Sequence, residues 1–217
     1  MAILASLAAR AAHHALEVFG AFNPGPDDDL PDIGTLVLLG PREPGFWAHL
    51  KAQPEWLDGQ PDPIDRWSAR ALRELAEPLE ARIFLPFGGP PRHPFYRWAL
   101  RSGRAWASPV QLLVHDRAGL MVSYRGALGL REKLELPAPS CAHPCAACPD
   151  KPCLTACPVG ALNDHGYDLS ECHALLDQPA GEGCMNLGCA TRRACPLSAA
   201  YGRLPEQSAY HMRLFHP

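Results

Sequence analysis

No cysteine occurs in the first 140 residues of this 217-residue chain. Long apolar runs are missing too: no segment reaches the ~18 consecutive apolar residues that a membrane span requires. The opening segment, residues 1–16, has no basic residue before its apolar stretch, and Arg10, His13 and His14 interrupt it. That pattern argues against a secretory signal, and a cytoplasmic location with no membrane partner is the expectation. Lysine is scarce, three residues against 17 arginines, and the formal net charge of −3 gives no basic excess to attract nucleic acid. The chain has no internal repeat, no phosphate-binding Walker loop, no Gly-x-Gly-x-x-Gly and no nucleophile elbow. What remains is 47% hydrophobic and 20% charged, the balance of a globular chain long enough for one large or two small domains.

The absence of cysteine early in the chain gives weight to its abundance later. All nine cysteines lie between Cys141 and Cys195. An odd count without an export signal fits a disulfide framework poorly and a metal site well. The chain therefore divides into residues 1–137 and residues 138–217.

The first part reads as α+β, with helices against a mixed or antiparallel sheet. Apolar residues at helical spacing (Ile3, Leu4, Leu7, Ala11, Leu16) predict a helix over 3–18. Residues 33–40 form an apolar run closed by Gly40 and Pro41, the pattern of a buried strand. Helices are expected over 44–53 and from Asp62, with Pro63 in its first position, and over 94–101. Residues 81–87 read as a strand, and 109–115 with 119–128 as a hairpin turning at 116–118.

In the second part Cys145 and Cys148 are two residues apart, Cys148 and Cys153 four, and Cys153 and Cys157 three, with Pro158 next. Cys172 stands alone. Cys184, Cys189 and Cys195 follow with gaps of four and five, and Pro196 closes the run. Bacterial ferredoxins use C-x2-C-x2-C-x3-C-P, in which the fourth cysteine ligates the other cube. On this logic Cys145, Cys148, Cys153 and Cys195 hold one [4Fe–4S] cluster, and Cys157, Cys172, Cys184 and Cys189 a second. Cys141 is left over, and a short helix is expected after Pro158. Two four-thiolate zinc sites would use the same eight cysteines, although zinc modules favour paired C-x2-C hooks and only one is present. The spacing Cys141, Cys145, Cys148 also matches the radical-SAM triplet, which those enzymes place on an early barrel loop rather than after a complete domain.

Two resemblances follow from these segments. The strand at 34–40, the helix opening at 62–67 and the stretch 114–130 resemble the cobalamin-processing family of the CblC type over about residues 15–137. The resemblance implies a nitroreductase-like α+β sandwich that holds cobalamin with its lower base displaced. Its His-x-Arg-x-Gly…Arg-Gly pattern falls on His115, Arg117, Gly119, Arg125 and Gly126, with Arg125 in the pocket beside the upper ligand. Read from the residues alone, Arg125 is equally a salt-bridging strand residue, and His115 a histidine satisfied within the protein. Arg97, Arg101 and Arg104 fit either corrin amides or a solvated face.

Residues 138–217 are similar to the ferredoxin-like C-terminal module of epoxyqueuosine reductases and reductive dehalogenases, in which a lone cysteine such as Cys172 completes the second cube. Those enzymes also join a corrinoid domain to two clusters. Together the resemblances imply a cobalamin-binding oxidoreductase. A ferredoxin or flavodoxin donates electrons, two [4Fe–4S] clusters carry them, and a base-off corrinoid loses or exchanges its upper ligand. Two alternatives stand beside it: a two-cluster electron carrier without corrinoid, and an epoxyqueuosine-reductase-like enzyme acting on another substrate, the one case involving tRNA. The tail after Cys195 is read as a cover for a cluster or as a packed or frayed terminus.

Overall fold

In the computed structural model, which describes residues 2–138 and 142–217, the chain begins α1 (Ala2–His13), β1 (Leu16–Phe22), β2 (Thr35–Pro41), α2 (Phe46–Lys51), α3 (Pro54–Leu57) and α4 (Pro63–Ala76). It continues β3 (Arg82–Phe84), α5 (Phe95–Arg101), β4 (Ala105–Ala107), β5 (Leu113–His115) and β6 (Gly126–Leu130). The remainder is β7 (Leu162–Asn163), β8 (Gly166–Tyr167) and five helices. These are α6 (Leu169–Leu176), α7 (Glu182–Leu187), α8 (Ala190–Ala194), α9 (Pro196–Ala200) and α10 (Pro205–Phe215). The class is mixed α+β with small sheets. No helix among the described residues is long and apolar enough to cross a membrane.

Two compact units share these elements, and the division is not the one read from the sequence. The first comprises residues 1–104 and 123–140, the second residues 105–122 and 141–217. The segment 105–122, assigned by sequence to the first part, thus belongs with the cysteines. Cys141 lies outside the described residues.

The first unit is built on a four-stranded antiparallel sheet in the order β1-β2-β6-β3. Its central strand β2 is buried along its whole length, as a continuous apolar run requires. Helix α4 buries Ile64, Trp67, Ser68, Ala71, Leu72 and Leu75, a spacing of three and four residues that keeps one face inward. Its outer face is tied down by ion pairs, Arg66 to Asp58 at 2.7 Å and Arg70 to Glu55. Pro63 occupies the first turn as expected, but Asp62 has a left-handed backbone (φ 53°) and makes no side-chain cap.

Two expectations shift here. The opening helix ends at His13, and residues 16–22 form β1, which pairs with β2. Its alternating burial (Leu16, Phe19 and Phe22 inward) is a strand pattern that the alanine-rich stretch before it obscured. Strand β3 is confined to Arg82–Phe84; Pro86 follows closely and supplies no N–H to extend the ladder.

Gly126 opens β6 where a side chain has no room: a Cβ there would stand 2.7 Å from Leu72 Cδ1 and 2.9 Å from the Phe84 carbonyl oxygen. We expect Gly126→Ala to cost about 1–3 kcal/mol, the range for overpacking a core, read as a lower urea midpoint. An unchanged midpoint would mean that α4 yields freely at Leu72.

Candidate metal centre

In the second unit β4 pairs with β5, so the hairpin is 105–115 rather than the expected 109–128. Its loop closes through Ser108 N–H to Leu112 O and Gln111 N–H to Ser108 O. Beyond β5, His115 and Gly119 exchange two backbone hydrogen bonds of 3.0 and 2.9 Å, which fold 116–118 into a tight turn. The chain then leaves for β6 without forming a second long strand.

This segment forms one wall of a cavity. Val110, Val114 and Leu120 pack with Cys153 and Cys195 in a buried cluster, with Trp106, Leu112, Cys145, Leu154 and Leu197 around it. The cavity measures about 430 Å³ and is lined by all four of Cys145, Cys148, Cys153 and Cys195. Its other walls include Pro109, Pro144, Pro149, Pro152 and Pro196, which carry no N–H, so the lining is largely apolar.

Short turns aim these thiols. Residues Pro144–Ala147 form a 3-10 turn in which His143 Nδ1 accepts from the Cys145 amide at 3.2 Å. A second turn, Pro152–Leu154, presents Cys153 after Lys151 takes a left-handed conformation (φ 36°). Cys195 lies between α8 and α9 with an extended backbone, and Pro196 starts α9. Pro158 starts no helix: the chain turns at Gly160 and enters β7, which corrects the expectation of a short helix there.

The electrostatics follow the geometry. Burial pushes the Cys145 thiol up, and the neighbouring thiols of Cys153, Cys195 and Cys148 push it further, with Lys151 opposing. Cys153 is raised by burial and then by Cys195 and Cys148. The other four cysteines form a second set with the same logic. Cys172 is raised by burial and by Cys189, Cys157 and Cys184, against a hydrogen bond from Tyr167 that lowers it. That bond runs from Tyr167 Oη to Cys172 Sγ at 3.2 Å.

Helix α10 packs on α7 beside this second set. Phe215 stacks on Tyr167 and tilts against His173, and His216 lies 2.6 Å from His173 Nδ1 and 3.0 Å from Asp177. The tail is therefore a packed helix.

Among the described residues, no group of three or more His, Cys, Asp or Glu is placed to hold a metal ion. The first set is spread around a space instead. Tetrahedral zinc at a Zn–S distance of about 2.3 Å needs sulfurs about 3.8 Å apart, whereas a four-iron cube holds its thiolates farther apart around a larger inorganic core. Buried polar atoms without a protein partner accompany the cysteines. Ser108 lines the cavity with its hydroxyl buried and unpartnered, and Thr191 Oγ1 and both ends of the Gln207 amide are buried and unpartnered on α8 and α10. Such donors are costly unless something accepts from them. Sequence reasoning missed Ser108, because nothing before the fold connects residue 108 with residue 195.

The residues matched to the corrin site are distributed differently. His115, Arg117 and Gly119 belong to the second unit, and Arg125 and Gly126 to the first. His115 is wholly buried, and its Nδ1 accepts from the amides of Arg117 and Ala118 at 3.2 and 3.4 Å, with Asp116 Oδ1 3.0 Å away. Gly119 faces Ser198 and Cys195. Arg125 faces Asp65 at 3.7 Å, and burial pushes its guanidinium down while Asp65 opposes. Arg101 pairs with Asp28 at 3.0 Å over the Phe22 ring, Arg104 donates to the Val18 carbonyl, and Arg97 is exposed. Compared with family models, with curated proteins and with solved structures, the chain finds no match.

Proposed function

We propose that this protein is an iron–sulfur oxidoreductase in which eight cysteines hold two [4Fe–4S] clusters that pass electrons to a corrinoid. The observation that carries the iron–sulfur reading is the single cavity lined by Cys145, Cys148, Cys153 and Cys195, a set that is not consecutive in sequence. When bound, such clusters supply one-electron transfer at potentials set by hydrogen bonds and exposure.

The chain's own contribution is positional. The turns at Pro144–Ala147 and Pro152–Leu154 present three thiols of the first set, and Cys195 reaches back from the start of α9. Val114, Leu120 and Leu197 keep water from that space. Thiols that oppose one another's ionisation, as these do, need a cationic centre to become thiolates together. The breadth of the cavity favours a cube over zinc, and the ferredoxin-like, crossed use of cysteines is part of the same proposal. Alternating Cys153 with Cys157 and Cys195 with Cys189 between the sets keeps the two centres close, as electron relay requires.

The corrinoid is proposed as acceptor on the resemblance of residues 15–137 to the CblC type, with its nitroreductase-like sandwich. Iron and sulfide analysis after anaerobic reconstitution should give about eight of each per chain. Titration of that protein with cobalamin should then produce the base-off spectral shift, saturating near one equivalent. Full clusters without a shift would leave a two-cluster electron carrier; tight zinc binding with no cluster assembly would overturn the iron–sulfur reading.

A further inference from the structure

The two cysteine sets are chemically unlike. The first faces a proline-rich, apolar cavity whose nearest side-chain hydroxyl, that of Ser108, is bonded to nothing in the protein. The second has a phenol already engaged: Tyr167 Oη donates to Cys172 Sγ at 3.2 Å, within the 4.0 Å reach usual for sulfur. The placement of that phenol is built by three elements. Tyr167 ends the short ladder of β7 and β8 (Leu162 pairs with Tyr167), Cys172 lies five residues on in α6, and Phe215 from the end of α10 stacks on the Tyr167 ring at 6.4 Å, nearly parallel (17°). Asp168 caps α6 by accepting from the Glu171 amide, which fixes the first turn of the helix and hence the reach from Tyr167 to Cys172. The tail thus has a use: it clamps the ring that reaches the thiol.

We infer that Tyr167 is a positioning residue of the second cluster, its hydroxyl donating to the Cys172 thiolate and raising that cluster's reduction potential relative to the first. The inference rests on the iron–sulfur reading above. Its chemistry is that of an ordinary donor. A phenol with a usual pKa near 10 carries its proton at neutral pH, and a hydrogen bond to an anionic ligand is stronger than a neutral one. Reduction adds negative charge to the cluster and its thiolates, so the bond strengthens on reduction and favours the reduced form. Partners one step removed from the metal tune it in this way. No electron or proton is transferred by Tyr167 itself; the residue only shifts the equilibrium of a one-electron step.

The test uses the full chain, reconstituted anaerobically, with both clusters followed by potentiometric titration and electron paramagnetic resonance. Tyr167→Phe keeps the ring and its stacking on Phe215 and removes only the hydroxyl. It should retain the wild-type iron content and move one of the two potentials negative by about a tenfold change in the reduction equilibrium, ~59 mV for one electron, leaving the other in place. Incorporation of 3-fluorotyrosine at 167, a more acidic donor, should move the same potential the opposite way. That second variant keeps the phenol and serves if the phenylalanine variant fails to load its clusters. Two unchanged potentials at full iron content would overturn the inference and leave the iron–sulfur reading standing. A wild-type chain that takes up no iron and sulfide would overturn both.

Discussion

Gly119→Ala should empty the first cysteine set while leaving the sheet of the other unit folded. A Cβ at 119 would stand 2.5 Å from the Ser198 amide nitrogen, 2.7 Å from Ser198 Oγ and 3.0 Å from Cys195 Sγ. The backbone there is also left-handed, at φ 56°. Two costs therefore add: about 1–2 kcal/mol for a left-handed non-glycine residue and about 1–3 kcal/mol for overpacking. The strain does not spread evenly, because the neighbours of Gly119 are pinned. Leu120 donates its amide to Ser198 Oγ at 2.8 Å and accepts from Arg192 at 3.2 Å, so the segment cannot retreat without breaking both bonds. Cys195 is the side that gives way, and with it one of four ligands. The check is iron content and thermal unfolding of the variant. We expect about half the wild-type iron and an early melting step. Full iron with an unshifted melt would show that 105–122 is not the wall of the site.

This role for Gly119 also explains which parts of the site were readable from sequence. The grouping of cysteines was legible, since local spacing and the two Cys-Pro steps carry it. Cys195 follows Cys189 by only six residues, yet it lines the cavity with Cys145, Cys148 and Cys153, as the crossed pattern predicts. The partner of that cavity was not legible. Segment 105–122 has the alternating apolar residues of a strand, and local pattern says only that it is half-buried; which surface buries it is a tertiary fact. His115 shows the same limit. Its spacing to Arg117 and Gly119 suggested a ligand pocket, whereas its ring accepts from two amides of its own turn and is wholly buried.

The fold divides along similar lines. Helix α4 and strand β2 were recoverable, because Pro63 with a three-and-four apolar spacing and an unbroken apolar run each have one good structural solution. Strand β1 was not, since apolar residues at 3, 4, 7, 11 and 16 suit a helix. The break comes at Ala15, which adopts a left-handed backbone (φ 49°) that nothing local in the sequence demands. Pairing with β2, a long-range event, pulls Leu16–Phe22 out of the helix.

Cys195→Ala and Cys189→Ala should damage different clusters although the two residues flank the same five-residue helix. Helix α8 begins after Cys189 and ends before Cys195, so about one and a half turns separate the two thiols along its axis. The first points to the cavity with Cys145, Cys148 and Cys153; the second acts on Cys172 together with Cys157 and Cys184. Loss of Cys195 removes a ligand from a set whose other three sit on the turns around Pro144 and Pro152. The first cluster should then be lost or degraded to three irons. The second should keep its potential and its hydrogen bond from Tyr167. Loss of Cys189 should do the reverse. Iron content and paramagnetic resonance of the reduced variants distinguish the outcomes. If Cys195→Ala instead abolishes the signal that Cys189→Ala abolishes, the sets are not crossed, and α8 carries two ligands of one centre. The crossed arrangement has a mechanical consequence as well. The packing of α8 on the Pro152–Leu154 turn couples the two centres through a single short helix, so a ligand change at either end should be felt at the other as a small shift in potential rather than as loss of iron.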